Sequence, residues 1–336
     1  MWFLLGPMML LTLVLVIASA VYTAPYSILA PGDASLAAPL VQVSGAKTYT
    51  HPGKVLFVTV AVTDQPTYIE SLWGWLDPDV DVFPRNDVTS GRSVADDNRY
   101  NAMLMQISQQ SATYQALKRV GFDVSQTAAG VLVDDVAPHT AADGKLKAGD
   151  VIVGIDGFSI NSTNDLAMYL EQRTGGERVP VIVNRLGVKD DLKVYVTLGS
   201  REVSGAKRAY LGITMEQFTR YHDPLSVAFD TGNVGGPSAG LSFTVTLIDK
   251  LTPGGVTNGN TVAITGTMQP DGTVGDVGGV AQKTVAVRDS GADYFLVPGD
   301  EYADAEKHAG GHLKVIKVAT LDQALSVLHS LPKKVH

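Results

Sequence analysis

The stretch Gly232 to Gly240, reading GNVGGPSAG, constrains the local architecture more than any other part of the chain. Glycines this dense, with Pro237 among them, favour neither a strand ladder nor a helix interior, so the segment is a loop. Leu225-Ser226-Val227-Ala228-Phe229 before it reads as a strand, and Leu241 to Ile248 after it carries apolar residues at helical spacing. A strand, a glycine loop and a helix therefore follow one another, with Ser238 at or near the helix N-terminus. There the unpaired N–H groups of the first turn, with those of Gly235, Gly236 and Ser238, suit the stabilisation of an oxyanion.

A serine hydroxyl needs a base to become a nucleophile. The candidate is Lys283, which ends the run Val277-Gly278-Gly279-Val280-Ala281-Gln282-Lys283. Free lysine titrates near ~10.4 and a working base needs roughly 7 to 8, so the site has to supply about 3 units. The neighbours Val280, Ala281, Thr284, Val285 and Ala286 carry no charge, and burial among them desolvates the ammonium.

Ser238 in G-P-S-A-G, the pair Thr265-Gly266, and G-G-V-x-x-K ending at Lys283 resemble, in order and spacing, the proteolytic domain of the Lon protease family. The similarity runs from about Lys207 to the C-terminus. It implies a catalytic Ser/Lys dyad, with Ser238 the nucleophile, Lys283 the general base and Thr265 a hydroxyl that positions the lysine. Two residues depart from the Lon pattern: Gly235 stands where bacterial Lon enzymes usually carry aspartate, and Thr267 where they carry glutamate. Both bear on the shape and control of the site.

The expected fold class is α+β (mixed α/β), from strands such as Thr261–Thr265, Tyr294–Pro298 and Lys314–Val318 alternating with helices. Residues 1–23 read as a transmembrane anchor or signal segment, because no charged side chain occurs from Met1 to Val21 and about 20 apolar residues cross a bilayer. Ala18-Ser19-Ala20 has the small-x-small form of a cleavage site, but the length and the lack of a preceding Lys or Arg point to a retained helix. The first basic residue after it is Lys47, which places the bulk of the chain on the extracytoplasmic side of a cell membrane.

Residues 24–40, rich in Ala, Pro and Gly, read as a tether. Residues 41–124 hold two strands, at Leu40–Val43 and Val55–Val62, expected in the same sheet as the protease domain. A helix follows from Ser93 to about Val120 with an apolar stripe of Met103, Ile107, Tyr114, Leu117 and Val120. Residues 125–200 carry L-K-x-G-D-x-I at Leu146–Ile152, I-D-G at Ile155–Gly157 and a helix opened by Ser162 and Asp165. This order resembles a PDZ domain of the bacterial protease-associated type. The resemblance implies capture of an extended peptide as a strand beside Ala129, Gly130, Val131, Leu132 and Val133, opposite the 162–172 helix. Residues 205–336 complete the Lon-type unit, and the whole is similar to membrane-anchored, PDZ-containing Lon-like proteases, whose relatives often assemble into rings.

Other readings fit the residues less well. Gly236-Pro237-Ser238-Ala239-Gly240 also satisfies G-x-S-x-G, with Asp293, Asp300, His308 and His312 downstream, but Thr231–Pro237 separate the serine from its strand. S-x-x-K at Ser44–Lys47 and Ser204–Lys207 opens no apolar helix. Gly310 and Gly311 break the spacing of His308 and His312 that a zinc pair needs, so no metal and no cofactor is expected. The net charge of -8 argues against nucleic acid, and the absence of cysteine excludes thiol chemistry. No G-x-x-x-x-G-K-[ST] occurs. The expectation is an ATP-independent serine endopeptidase acting on peptide segments; the alternative is a peptide-binding scaffold whose protease-like domain is inactive or only self-processing.

Overall fold

The computed structural model describes residues 5–203 and 205–334. Its centre is a six-stranded sheet in the order Lys314–Val318, Tyr294–Pro298, Thr261–Ile264, Lys54–Asp64, Tyr26–Leu36, Asp81–Pro84. The first four strands are parallel and the last two antiparallel. The strand Lys54–Asp64 lies directly beside Thr261–Ile264, so the N-terminal and C-terminal parts of the chain share one sheet. Parallel strands buried on both faces read as continuous apolar runs, as Tyr294–Pro298 does, with every residue buried.

Alternation sorts those side chains between two cores. Val55, Phe57, Val262 and Ile264 join the helices Gly240–Leu251 and Leu321–Ser330 on one face. Leu56, Val58, Ala263, Phe295 and Val297 meet the helix Val280–Ser290 and the short helix Tyr302–His308 on the other. Helices on both faces make the class mixed α/β.

The second unit is a six-stranded sheet in which Ile213–His222, Ser125–Val136, Asp150–Ile155, Arg178–Arg185 and Leu192–Thr197 are neighbours in that order. Its core, around Val131, Ile152, Ile155, Leu166 and Val181, is separate from the other two. The helix Thr163–Glu171 opens with the expected capping box, Ser162 accepting from the Asp165 N–H while the Asp165 carboxylate accepts from Ser162.

Between the two units runs the long helix Val94–Arg119, capped by Ser93. Its apolar residues are not confined to a stripe, because both sides are covered. Met105, Ala112 and Ala116 enter the core of the central sheet, while Met103 packs with Leu132 and Val151 of the second unit.

Three N-terminal expectations need correction. The apolar start forms the helix Leu5–Val21, of 17 residues. At ~1.5 Å per residue that is about 25 Å, short of a hydrocarbon core of ~30 Å. Among the described residues no helix is long and apolar enough to cross a membrane, so the expected anchor over residues 1–23 is not supported; residues 1–4 of that segment lie outside the described residues. Residues 24–40 are not a tether: Tyr26–Leu36 is a strand hydrogen-bonded on both sides. Its Pro31 and Gly32, which read as linker, sit at a register shift between Pro31 and Ala34, where a strand tolerates both. Finally, Val41–Ser44 pairs with Ser226–Phe229 rather than entering the central sheet.

Candidate active site

Ser238 stands immediately before Ala239, the N-cap residue of the helix Gly240–Leu251, and its side chain is partly exposed. The loop ahead of it is held from outside. The Ser108 hydroxyl donates to the Pro237 carbonyl at 2.8 Å, and the Gln109 amide donates to the Thr231 hydroxyl at 3.3 Å. Both donors come from the long helix.

The absence of a side chain at Gly235 has a steric reason here. A Cβ at that position would lie 2.9 Å from the Asn101 Cβ, so the aspartate found at this place in bacterial Lon enzymes has no room. At the next residue the Gly236 N–H donates to the Asn101 carbonyl at 2.8 Å. That bond withdraws Gly236 from the expected oxyanion donors and leaves the N–H groups of Gly235 and Ser238.

Thr265 follows the strand Thr261–Ile264 directly and is fully buried, its N–H donating to the Leu296 carbonyl at 3.0 Å. Its hydroxyl donates to the Ser238 carbonyl at 3.3 Å, and the Gly266 N–H donates to the same oxygen at 3.0 Å. The Leu241 N–H returns a bond to the Gly266 carbonyl at 3.0 Å. The G-P-S-A-G and T-G segments, far apart in the chain, thus lock onto each other. Thr267, where Lon enzymes carry glutamate, pairs with Gly275 in a short hairpin.

Lys283 lies on the helix Val280–Ser290, which starts at Gly279 in the left-handed region with φ of 66°. The lysine is 2% exposed. Burial pushes its amine down to about 8, and the charge of Glu301 partly opposes that shift. No hydrogen bond joins the Ser238 hydroxyl to the Lys283 amine among the described residues, and the helix that follows Ser238 and the helix that carries Lys283 occupy opposite faces of the sheet. Thr265, at the end of a central strand, stands between those faces. Glu301, Asn101 and Ser108 went unnoticed in the sequence, since each is ordinary in its local context and is brought to the site by pairings distant in the chain.

The expected peptide-holding residues are placed differently. Ala129, Gly130, Val131, Leu132 and Val133 lie on Ser125–Val136, which is flanked on both sides. Val131 pairs with Gln217 on one neighbour and with Ile152 on the other. No open edge remains there for an added strand. The edge strand is Ile213–His222, and the Thr163–Glu171 helix lies against it, the Thr163 N–H donating to the side-chain Oε1 of Gln217 at 3.4 Å. Strand order is set by tertiary pairing, so the sequence carries no sign that this segment closes the second sheet.

Residues 118–196 match the PDZ domain family, and residues 174–331 match the Lon protease (S16) C-terminal proteolytic domain. The chain carries a PDZ domain and a Lon-type proteolytic domain. The stretch 174–196 falls in both matches, and in the structure it belongs to the PDZ sheet. Among curated proteins, the Lon protease of Rickettsia bellii is 28% identical over 187 residues, 52% of this chain and 23% of its own length. Lon protease 1 of Sorangium cellulosum is 30% identical over 36% of this chain and 15% of its own length. A probable periplasmic serine endoprotease DegP-like from Bartonella henselae is 37% identical over 20% of this chain and 13% of its own length. The chain therefore spans less than a quarter of the length of these relatives. Among solved structures, the PDZ domain of the SdrC-like protein of Listeria monocytogenes is 26% identical, with 26% of this chain and 90% of that chain covered and a TM-score of 0.24.

Proposed function

We propose that the chain is a serine endopeptidase in which Ser238 attacks a peptide carbonyl, the neutral Lys283 amine takes its proton, and the Gly235 and Ser238 N–H groups receive the oxyanion. Water then releases the acyl-enzyme. The observation that carries this reading is Lys283: a lysine 2% exposed, pushed down to about 8, inside a region that matches a Lon-type proteolytic domain. A structural lysine keeps its ammonium in water, whereas a base gains from losing it. Thr265, bonded to the Ser238 backbone, is the hydroxyl between nucleophile and base. Contacts between a catalytic serine and its base commonly tighten on substrate binding, so an open dyad is compatible with this chemistry.

The PDZ domain selects the segment to be cut, and peptide addition belongs on the outer edge of Ile213–His222 rather than beside Gly130–Val133. Turnover in this reading needs no nucleotide, as no G-x-x-x-x-G-K-[ST] occurs in the sequence. The bond that ties the Gly236 N–H to Asn101 gives the scaffold reading its one specific support, since a site with a donor withdrawn is a weaker catalyst.

One experiment separates the two. Wild type and Ser238→Ala, incubated with unfolded casein, should differ by the loss of all cleavage while their thermal unfolding coincides. Equal cleavage by both proteins removes Ser238 from the reaction, and no cleavage by either leaves the scaffold.

A further inference from the structure

Glu301 lies at the end of the central sheet where the candidate site sits. The strand Tyr294–Pro298 runs parallel to Thr261–Ile264 with Leu296 beside Ile264, so Thr265 and the turn Gly299–Glu301 leave the sheet at the same end. In open α/β sheets, chemistry gathers at the carboxyl ends of parallel strands. One carboxylate oxygen, Oε1, accepts the Val277 N–H at 2.7 Å, gripping the loop just ahead of Gly279 and the lysine helix. The other, Oε2, is shut off from solvent and has no hydrogen-bond partner among the described residues. A buried carboxylate oxygen left bare is disfavoured unless a cation or a proton answers it.

The cation whose field reaches Glu301 is Lys283, on the facing helix, while Asp276 of the loop and Asp304 of the next helix oppose ionisation. Burial raises the Glu301 carboxyl and lowers the Lys283 amine, while the charge of each favours ionisation of the other. We infer that Glu301 is a positioning residue for the candidate base: Oε1 fastens the loop that opens the lysine helix, and the carboxylate charge keeps the Lys283 amine protonated at rest. This rests on the reading of Lys283 as the base. Since the neutral amine alone accepts the serine proton, Glu301 sets the pH at which hydrolysis begins.

Glu301→Gln separates the two roles, because a glutamine carbonyl still accepts from Val277 but carries no charge. Lysine side chains labelled with carbon-13 at Cε report the titration directly by NMR, the Lys283 signal being the one lost in Lys283→Arg. In Glu301→Gln the signal should titrate at lower pH than in wild type, and in Glu301→Asp, which keeps the charge, near the wild-type pH. The acid limb of kcat against pH for a casein-derived peptide should move with it. A drop of one unit from about 8 raises the neutral fraction at pH 7 about fivefold. An unmoved Lys283 titration in Glu301→Gln overturns the inference, whatever the hydrolysis. A moved titration in a protein that cleaves nothing upholds Glu301 and removes the peptidase reading instead.

Discussion

A lysine held 2% exposed with its amine pushed down to about 8 destabilises the fold at neutral pH. Its folded value lies below its unfolded one, so the unfolded chain binds the extra proton between about 8 and ~10.4, and stability rises with pH across that window. Below about 8 the cost is present in full, and above the unfolded value it vanishes. Lys283→Met, which keeps the chain length and removes the charge, should therefore stabilise the protein at pH 7 by on the order of 2–3 kcal/mol, with the gain fading above pH ~10. Urea unfolding of both proteins at pH 7 and pH 10.5 measures it; a gain that does not depend on pH would mean the amine is solvated in the folded state. Stability is traded here for an amine that sheds its proton near pH 8 rather than above pH ~10, the pattern expected of a functional lysine. Gly235 illustrates a different residue-scale compromise, in which a missing side chain admits the Asn101 backbone beside the serine loop.

The long helix Val94–Arg119 connects the two units. Toward the site it supplies Ser108 to Pro237, Gln109 to Thr231, Ser111 to Met268 and Gln115 to Gln269 and Pro270. Toward the PDZ domain it supplies Tyr100 to Asp134, Arg99 to Ala148 and Asp96 to Lys147. One rigid element thus touches the serine loop, the hairpin after Thr265 and the PDZ sheet. Ser108→Ala removes a buried donor one residue from the candidate nucleophile. It should lower kcat about fivefold, the equivalent of ~1 kcal/mol, with KM little altered. A changed KM with an unchanged kcat would put Ser108 in substrate capture rather than in shaping the loop.

At the scale of the molecule, the Lon-type domain is not continuous in sequence. Strands Tyr26–Leu36, Lys54–Asp64 and Asp81–Pro84 complete the sheet whose other strands follow residue 260, and the PDZ domain is inserted between them. A fragment of residues 205–336 would expose Ile264, Leu296 and their neighbours where Leu56 and Phe57 now pack. It should lack cooperative thermal unfolding, while residues 24–336 keep it. For the same reason a PDZ fragment ending at residue 200 should be less stable than one ending at residue 222, which retains the strand paired with Ser125–Val136. Circular dichroism melting of the four fragments tests both statements; a cooperative 205–336 fragment would make the N-terminal strands an accessory.

Much of the site was legible in the sequence, because loops and helix starts are written locally: GNVGGPSAG allows nothing but a turn into a helix, and Gly279 suits the left-handed entry to the lysine helix. The apolar runs that became parallel strands were equally plain, and so was the class of fold. What the residues could not reveal was partnership between distant segments, since hydrogen bonds across a sheet obey no spacing along the chain. The strand hidden in the proline- and glycine-bearing residues 26–36, the closing of the second sheet by Ile213–His222, and the arrival of Glu301 and Asn101 beside the site were decided by tertiary pairing alone. Local chemistry singled out the candidate groups; only the folded sheet determined which backbone donors stay free, which edge stays open and how deeply the amine is buried.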